Sequence, residues 1–230
     1  MCNADDEGTN AWRTVMLIKS RGYVAWRRAQ TRMMHTGMRP GPPFDLRKLH
    51  AIHVEPWKNG AGFTRELARG AGWRISVAEV AAPGPFSVFA GRWRHSVVIG
   101  TGGLDLRSGA DALALDPMRC VRYDGGTAWH ATLRAGPTRV FNVMTNVGEA
   151  SAQVLLDPAL AAAPHGGVCL ALCVGTGLAR LDGADVPLRL AAGDFFLFDP
   201  AAGTVRFERA QAGPGVLLAV IAPPAATSLP

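Results

Sequence analysis

Val98-Ile99-Gly100-Thr101-Gly102 recurs 75 residues later as Cys173-Val174-Gly175-Thr176-Gly177, and the correspondence continues on both sides of that turn. Ser108-Gly109-Ala110-Asp111 returns as Asp182-Gly183-Ala184-Asp185, and Tyr123-Asp124 as Phe198-Asp199. An offset of about 75 residues kept across three motifs is the mark of a duplicated structural unit. Each copy runs apolar strand, glycine turn, strand, Asp-bearing turn and paired strands. The flanking segments keep the period of two: Trp73, Ile75 and Val77 alternate with Arg74, Ser76 and Ala78, and Phe141 and Val143 alternate with Asn142 and Met144. No amphipathic helix of useful length interrupts them. The expected fold class is therefore all-β, with two stacked antiparallel barrels or sandwiches that bury their edges by closing or stacking. Gly100-Thr101-Gly102-Gly103 lacks the Lys-Ser/Thr ending of a phosphate loop and reads as a hairpin turn.

Only the first copy is preceded by a polar stretch, Glu55-Pro56-Trp57-Lys58-Asn59-Gly60-Ala61-Gly62-Phe63-Thr64-Arg65-Glu66. Asn59, Gly60 and Gly62 account for a turn, since Gly takes positive φ freely and Asn can bond its own backbone. Trp57, Lys58, Thr64, Arg65 and Glu66 are surplus to it, and surplus polar and aromatic groups on a loop are the usual material of a binding site. If neighbouring strands align so that Thr64, Glu66, Arg74, Ser76 and Asn142 face inward, these line the first barrel. Phe63, Leu67, Trp73, Ile75, Phe141 and Val143 then face the other layer. Arg65 falls on the apolar side in that register; either it precedes the regular strand or it pairs with a carboxylate such as Glu79.

These motifs carry a resemblance. The Pro56 to Glu66 run, Trp73-Arg74-Ile75-Ser76-Val77-Ala78-Glu79-Val80, Gly84-Pro85-Phe86-Ser87 with Phe89 and Gly91, and Phe141-Asn142-Val143-Met144 are similar to the HutD/Ves family over residues 44–222. Gly193-Asp194-Phe195-Phe196-Leu197-Phe198 resembles the turn-and-strand segment of cupins. The resemblance implies a bicupin, a duplicated RmlC-like jelly roll. It further implies a cytoplasmic protein linked to histidine utilisation that binds a small pathway metabolite. The implied organisation is an N-terminal extension over 1–43, a first cupin half carrying the polar site over 44–150, a second half over 151–222 and a tail over 223–230.

Composition narrows the partners. At 230 residues, 48% hydrophobic and 18% charged, the chain can bury one large core or two small ones. Of the net charge of +6, residues 1–43 contribute +4, with seven Lys and Arg against Asp5, Asp6 and Glu7. The remaining +2 makes no nucleic-acid footprint. No apolar run reaches the roughly 18 residues of a membrane helix. Residues 1–43, with Met33, Met34 and Met38 just before a Pro-rich junction, are expected to be disordered. Either translation starts at one of those methionines or the segment is a basic arm.

No cofactor or metal is expected. Metal-binding cupins set two His at His-x-His spacing on one strand, whereas His50 and His53 stand three apart and His95, His130 and His165 stand alone. Cys169 and Cys173 share a strand face about 13 Å apart, too far for a disulfide, and read as reduced core residues. Cys120 has no nearby base to activate it.

Two functions stay open beside each other. In one, a regulatory protein binds a small acidic metabolite such as urocanate or formiminoglutamate, a ligand class taken from the resemblance. Lys58, Arg65 or Arg74 grips its carboxylate, Asn59, Glu66 and Asn142 read a polar nitrogen, and Trp57 stacks on a ring. In the other, a metal-free enzyme uses Glu66 as general acid or base with Lys58 as electrostatic partner. An interaction module using the outer sheet faces is a third reading, and a homodimer is compatible with all of them.

Overall fold

Leu104 and Leu106 are fully buried while Arg107 is exposed, the alternation of a strand with one face on the core and one toward solvent, whereas Val168–Cys173 is buried at every position. The computed structural model describes residues 45–161, 167–181, 187–199, 204–209 and 215–224. The 1–43 extension, His165, the second Asp turn at 182–185 and most of the tail lie outside the described residues.

The first strands are β1 (Arg47–Lys48), β2 (Glu55–Pro56), β3 (Gly62–Gly70), β4 (Trp73–Val80), β5 (Gly84–Pro85), β6 (Arg92–Val98) and β7 (Leu104–Ser108). There follow β8 (Asp111–Leu115), β9 (Cys120–Asp124), β10 (His130–Leu133), β11 (Thr138–Asn146), β12 (Ser151–Leu156) and β13 (Leu160–Ala161). The last are β14 (Val168–Cys173), β15 (Gly177–Leu181), β16 (Leu188–Leu190), β17 (Asp194–Phe198), β18 (Val205–Arg209) and β19 (Val216–Ala222). Among the described residues the one helical element is a single 3-10 turn, Leu49–Ala51.

Two compact units result. Residues 49–154, with 223–224, form one, and residues 45–48 with 155–222 form the other. The boundary falls inside β12, and β1 pairs antiparallel with β17, so residues 45–48 belong with the second unit.

In the first unit, the N-terminal barrel, a six-stranded sheet β2-β3-β4-β11-β6-β9 faces a four-stranded sheet β5-β10-β7-β8. Val80, Val98, Tyr123 and Val140 from the larger sheet meet Leu104, Leu106, Leu115 and Ala131 from the smaller, with Phe86 and Trp129 closing the cluster. Full burial of each such Leu contributes about 1.5–3 kcal/mol.

The second unit, the C-terminal barrel, has a five-stranded sheet β1-β17-β14-β19-β12 and a four-stranded sheet β13-β18-β15-β16. Its core is Cys169, Ala171, Cys173, Phe196, Phe198, Val216, Leu218 and Val220 from one sheet, against Ala179, Leu190, Val205 and Phe207 from the other. Cys169 and Cys173 are buried free thiols; burial, with Asp199 adding, pushes Cys169 up to about 12.

One local reading is corrected. The 100–103 turn is no hairpin, because β6 and β7 lie in different sheets and the turn carries the chain from one to the other. The crossing passes close under β11: a Cβ on Gly100 would sit 2.7 Å from the Thr138 hydroxyl.

Candidate functional site

The turn that opens the polar stretch is held by its own backbone. Trp57 N–H donates to Gly62 O at 2.9 Å, Gly60 N–H donates to Trp57 O at 3.0 Å, and Gly60 takes φ 69°. Both ends of the Asn59 amide are engaged in this turn, its oxygen accepting from Ala61 N–H and its nitrogen donating to Pro85 O, which ties β2 and β3 to β5. Trp57 packs against the barrel core, stands edge-on to Phe86 at 5.8 Å and donates to Thr64 Oγ1 at 2.8 Å. Lys58 is exposed, with no ion pair among the described residues.

Strand registers define the inner face of the six-stranded sheet as three rows. Thr64, Ala78, Val140 and Val98 form one; Glu66, Ser76, Asn142, Ser96 and Val121 the next; Arg74, Met144, Arg94 and Tyr123 the third. Thr64, Glu66, Arg74, Ser76 and Asn142 thus share one face. The same rows bring in Arg94, Ser96 and Tyr123, which reasoning from the polar stretch passed over.

The bonds among them settle their own directions. Arg94 Nε lies 3.2 Å from Asn142 Oδ1 and can only donate, so the amide atom facing it is oxygen. Ser96 Oγ donates to the same oxygen at 2.8 Å, and Asn142 Nδ2 donates to Val140 O at 3.1 Å. Three of the four hydrogen bonds the Asn142 amide can make are thus taken within the protein, and both lone pairs of its oxygen serve to hold Arg94 and Ser96 in place.

Arg94 is only 5% exposed, yet no carboxylate lies within ion-pair distance of it among the described residues. Its guanidinium lies against the rings of Phe86 (4.8 Å) and Tyr123 (5.7 Å). Burial first, and then the positive charge of Arg74, holds it below the usual guanidinium range, partly offset by Tyr123. A guanidinium remains charged at neutral pH all the same. Its two terminal amino groups have no hydrogen-bond partner among the described residues.

Arg74, by contrast, is committed. Its Nε donates to Glu66 Oε2 at 3.0 Å, and it lies 3.6 Å from the Glu55 carboxylate. A bulge at Leu67 shifts the β3 register so that Arg69, rather than Ala68, stands opposite Arg74 and forks onto Glu66 as well. Burial works against the Glu66 charge, but the bonds and charges of Arg69 and Arg74 outweigh it and hold the carboxyl below its usual range.

Arg65 is not brought into the set. It lies within β3 on the opposite sheet face, over the Phe63 ring at 5.1 Å and 3.8 Å from the Glu79 carboxylate, so of the two alternatives left open for it the carboxylate pairing is the one that holds. His95 is buried on that face too, while His50, His53 and His130 are exposed. Among the described residues no three His, Cys, Asp or Glu side chains are grouped to hold a metal ion. The donors of the inner face suit an anion.

Comparison with known proteins agrees with this architecture. A protein of Pseudomonas putida described as "Uncharacterized 21.2 kDa protein in hutC 3'region" is 36% identical over 97 residues, 39% of this chain. The chain spans about half, 51%, of that relative's length. HutD from Pseudomonas fluorescens SBW25 superposes with a TM-score of 0.65 at 24% identity, over 78% of this chain and 98% of that one. A cupin barrel domain protein of Leptotrichia buccalis shares the fold at 12% identity, with a TM-score of 0.51 over 76% of this chain and 95% of that one. The HutD family model matches residues 49–217, a span that takes in both cupin-like barrels, and the chain belongs to the HutD family.

Proposed function

We propose that the N-terminal barrel binds a small acidic metabolite of histidine degradation, such as urocanate or formiminoglutamate, in a regulatory role. The observation that carries this reading is Arg94: a buried guanidinium without a carboxylate partner is costly to keep, and it has its free donors at the centre of a polar inner face. A ligand carboxylate supplies the missing partner. Membership of the HutD family and the hutC neighbourhood of the Pseudomonas putida relative support the choice of pathway. Glu66 suits this role better than proton transfer, because two arginines keep it ionised and unfit to act as an acid.

A thermal-shift screen of histidine-pathway acids followed by calorimetry tests the reading. A ligand at a hundred times its dissociation constant adds about 2.7 kcal/mol of stability. Arg94→Met is expected to weaken binding by about 1.5–3 kcal/mol, while Arg189→Met, on the exposed side of β16, leaves it unchanged. Binding by Arg94→Met equal to wild type sinks the proposal.

A further inference from the structure

Resting on that carboxylate site, we infer that the ligand must also carry a hydrogen-bond donor, an N–H or O–H, which the phenol oxygen of Tyr123 receives. The argument is a count of protons. Arg94 Nε can only donate, so Asn142 presents Oδ1. Ser96 then has to spend its single proton on that oxygen. Tyr123 OH lies 3.0 Å from Ser96 Oγ, whose proton is already committed, so the phenol is the donor in that bond. Its oxygen is left with lone pairs only, and among the described residues nothing donates to them.

Tyr123 is 5% exposed and its ring contacts the Arg94 guanidinium, so this acceptor belongs to the same buried site. The edge-on indole of Trp129 does not supply the donor, since its Nε1 has no hydrogen-bond partner among the described residues. The site therefore offers two unlike functions: a fork of N–H donors on Arg94 and an acceptor-only oxygen on Tyr123. An acid with an amide, imidazole or amine N–H satisfies both. An acid of the same shape without a donor leaves the phenol oxygen facing an acceptor or carbon. Tyr123 is thus a specificity-determining residue, and Ser96 acts through it by fixing which way its proton points.

The test compares trans-urocanate, which carries an imidazole N–H, with trans-3-(2-furyl)acrylate, a planar acid of the same size without one. Calorimetry of the full chain is expected to show the wild type favouring urocanate by at least about tenfold. Tyr123→Phe should bring the two within about twofold by weakening urocanate alone. Ser96→Ala frees the phenol proton and should narrow the preference without removing the tyrosine, which covers a Tyr123→Phe protein that folds poorly. Equal wild-type affinities, or a preference that persists in Tyr123→Phe or Ser96→Ala, overturn the inference. Arg94→Met separates the two claims: urocanate bound as by wild type means that the carboxylate site itself is wrong, whatever Tyr123 does.

Discussion

The two barrels can be read against each other position by position, because their strand registers correspond. In the N-terminal barrel Ser96 pairs with Asn142 and Arg94 with both Met144 and Tyr123; in the C-terminal barrel Ala171 pairs with Leu218 and Cys169 with both Val220 and Phe198. Arg94, Ser96, Tyr123 and Asn142 are thus replaced by Cys169, Ala171, Phe198 and Leu218, all four members of an apolar core. One scaffold is filled twice, once by packing and once by a hydrogen-bonded chain ending in an uncompensated charge. The packed version shows that the fold needs no polar interior. The polar version is then material kept for something other than folding.

Exchanging the charge between the barrels breaks this comparison most severely. Cys169→Arg places a guanidinium among apolar core side chains, where the nearby Asp199 charge offsets only part of the burial penalty, and is expected to cost about 4 kcal/mol or more of unfolding free energy. Arg94→Met in the other barrel should change stability by less than about 1 kcal/mol, or raise it, because the charge it removes has no ion pair. Urea unfolding of both proteins decides the matter; equal losses would mean that Arg94 is part of the scaffold.

Asn142→Leu, which copies the C-terminal barrel, is expected to cost about 1–3 kcal/mol by leaving Arg94 Nε and the Ser96 hydroxyl without an acceptor. Adding Ser96→Ala and Arg94→Met should recover part of that loss, since the polar groups act as one network. Strict additivity of the three changes in urea melts would argue against a network.

The smallest effect concerns Glu66, which has no role in the C-terminal core. Its folded-state pKa is lowered, so its contribution to stability is present above the ordinary carboxylate range and is lost as pH falls through the folded-state value. Glu66→Gln should therefore differ from wild type at pH 7 and converge with it in acid. A gap in urea midpoint that widens on acidification contradicts this assignment.

Much of the fold was legible in sequence order. The 75-residue repeat announced two like units, and the alternation through β4 and β11 put Thr64, Glu66, Arg74, Ser76 and Asn142 on one face. The site was less legible. Trp57, Lys58 and Asn59 drew attention as a polar cluster, yet two of them brace the turn and Lys58 stands exposed. Arg94 hid in plain view within Trp93-Arg94-His95-Ser96-Val97, where its period-two partner Ser96 and its counterpart Cys169 were the signals that could have found it.

The sequence by itself determined what depends on spacing along the chain: strands from alternation, turns from Gly and Asn, duplication from a nearly constant offset. Tertiary structure alone decided which arginine is free. Glu66 can satisfy one guanidinium as well as another in a linear reading. The Leu67 bulge and the β3 to β4 register give it to Arg69 and Arg74. Arg94, two strands away from Arg74 across Met144, is left with an amide that accepts one of its five N–H groups. Ion pairing acts over a few ångströms, and those ångströms exist only once strands distant in sequence lie side by side.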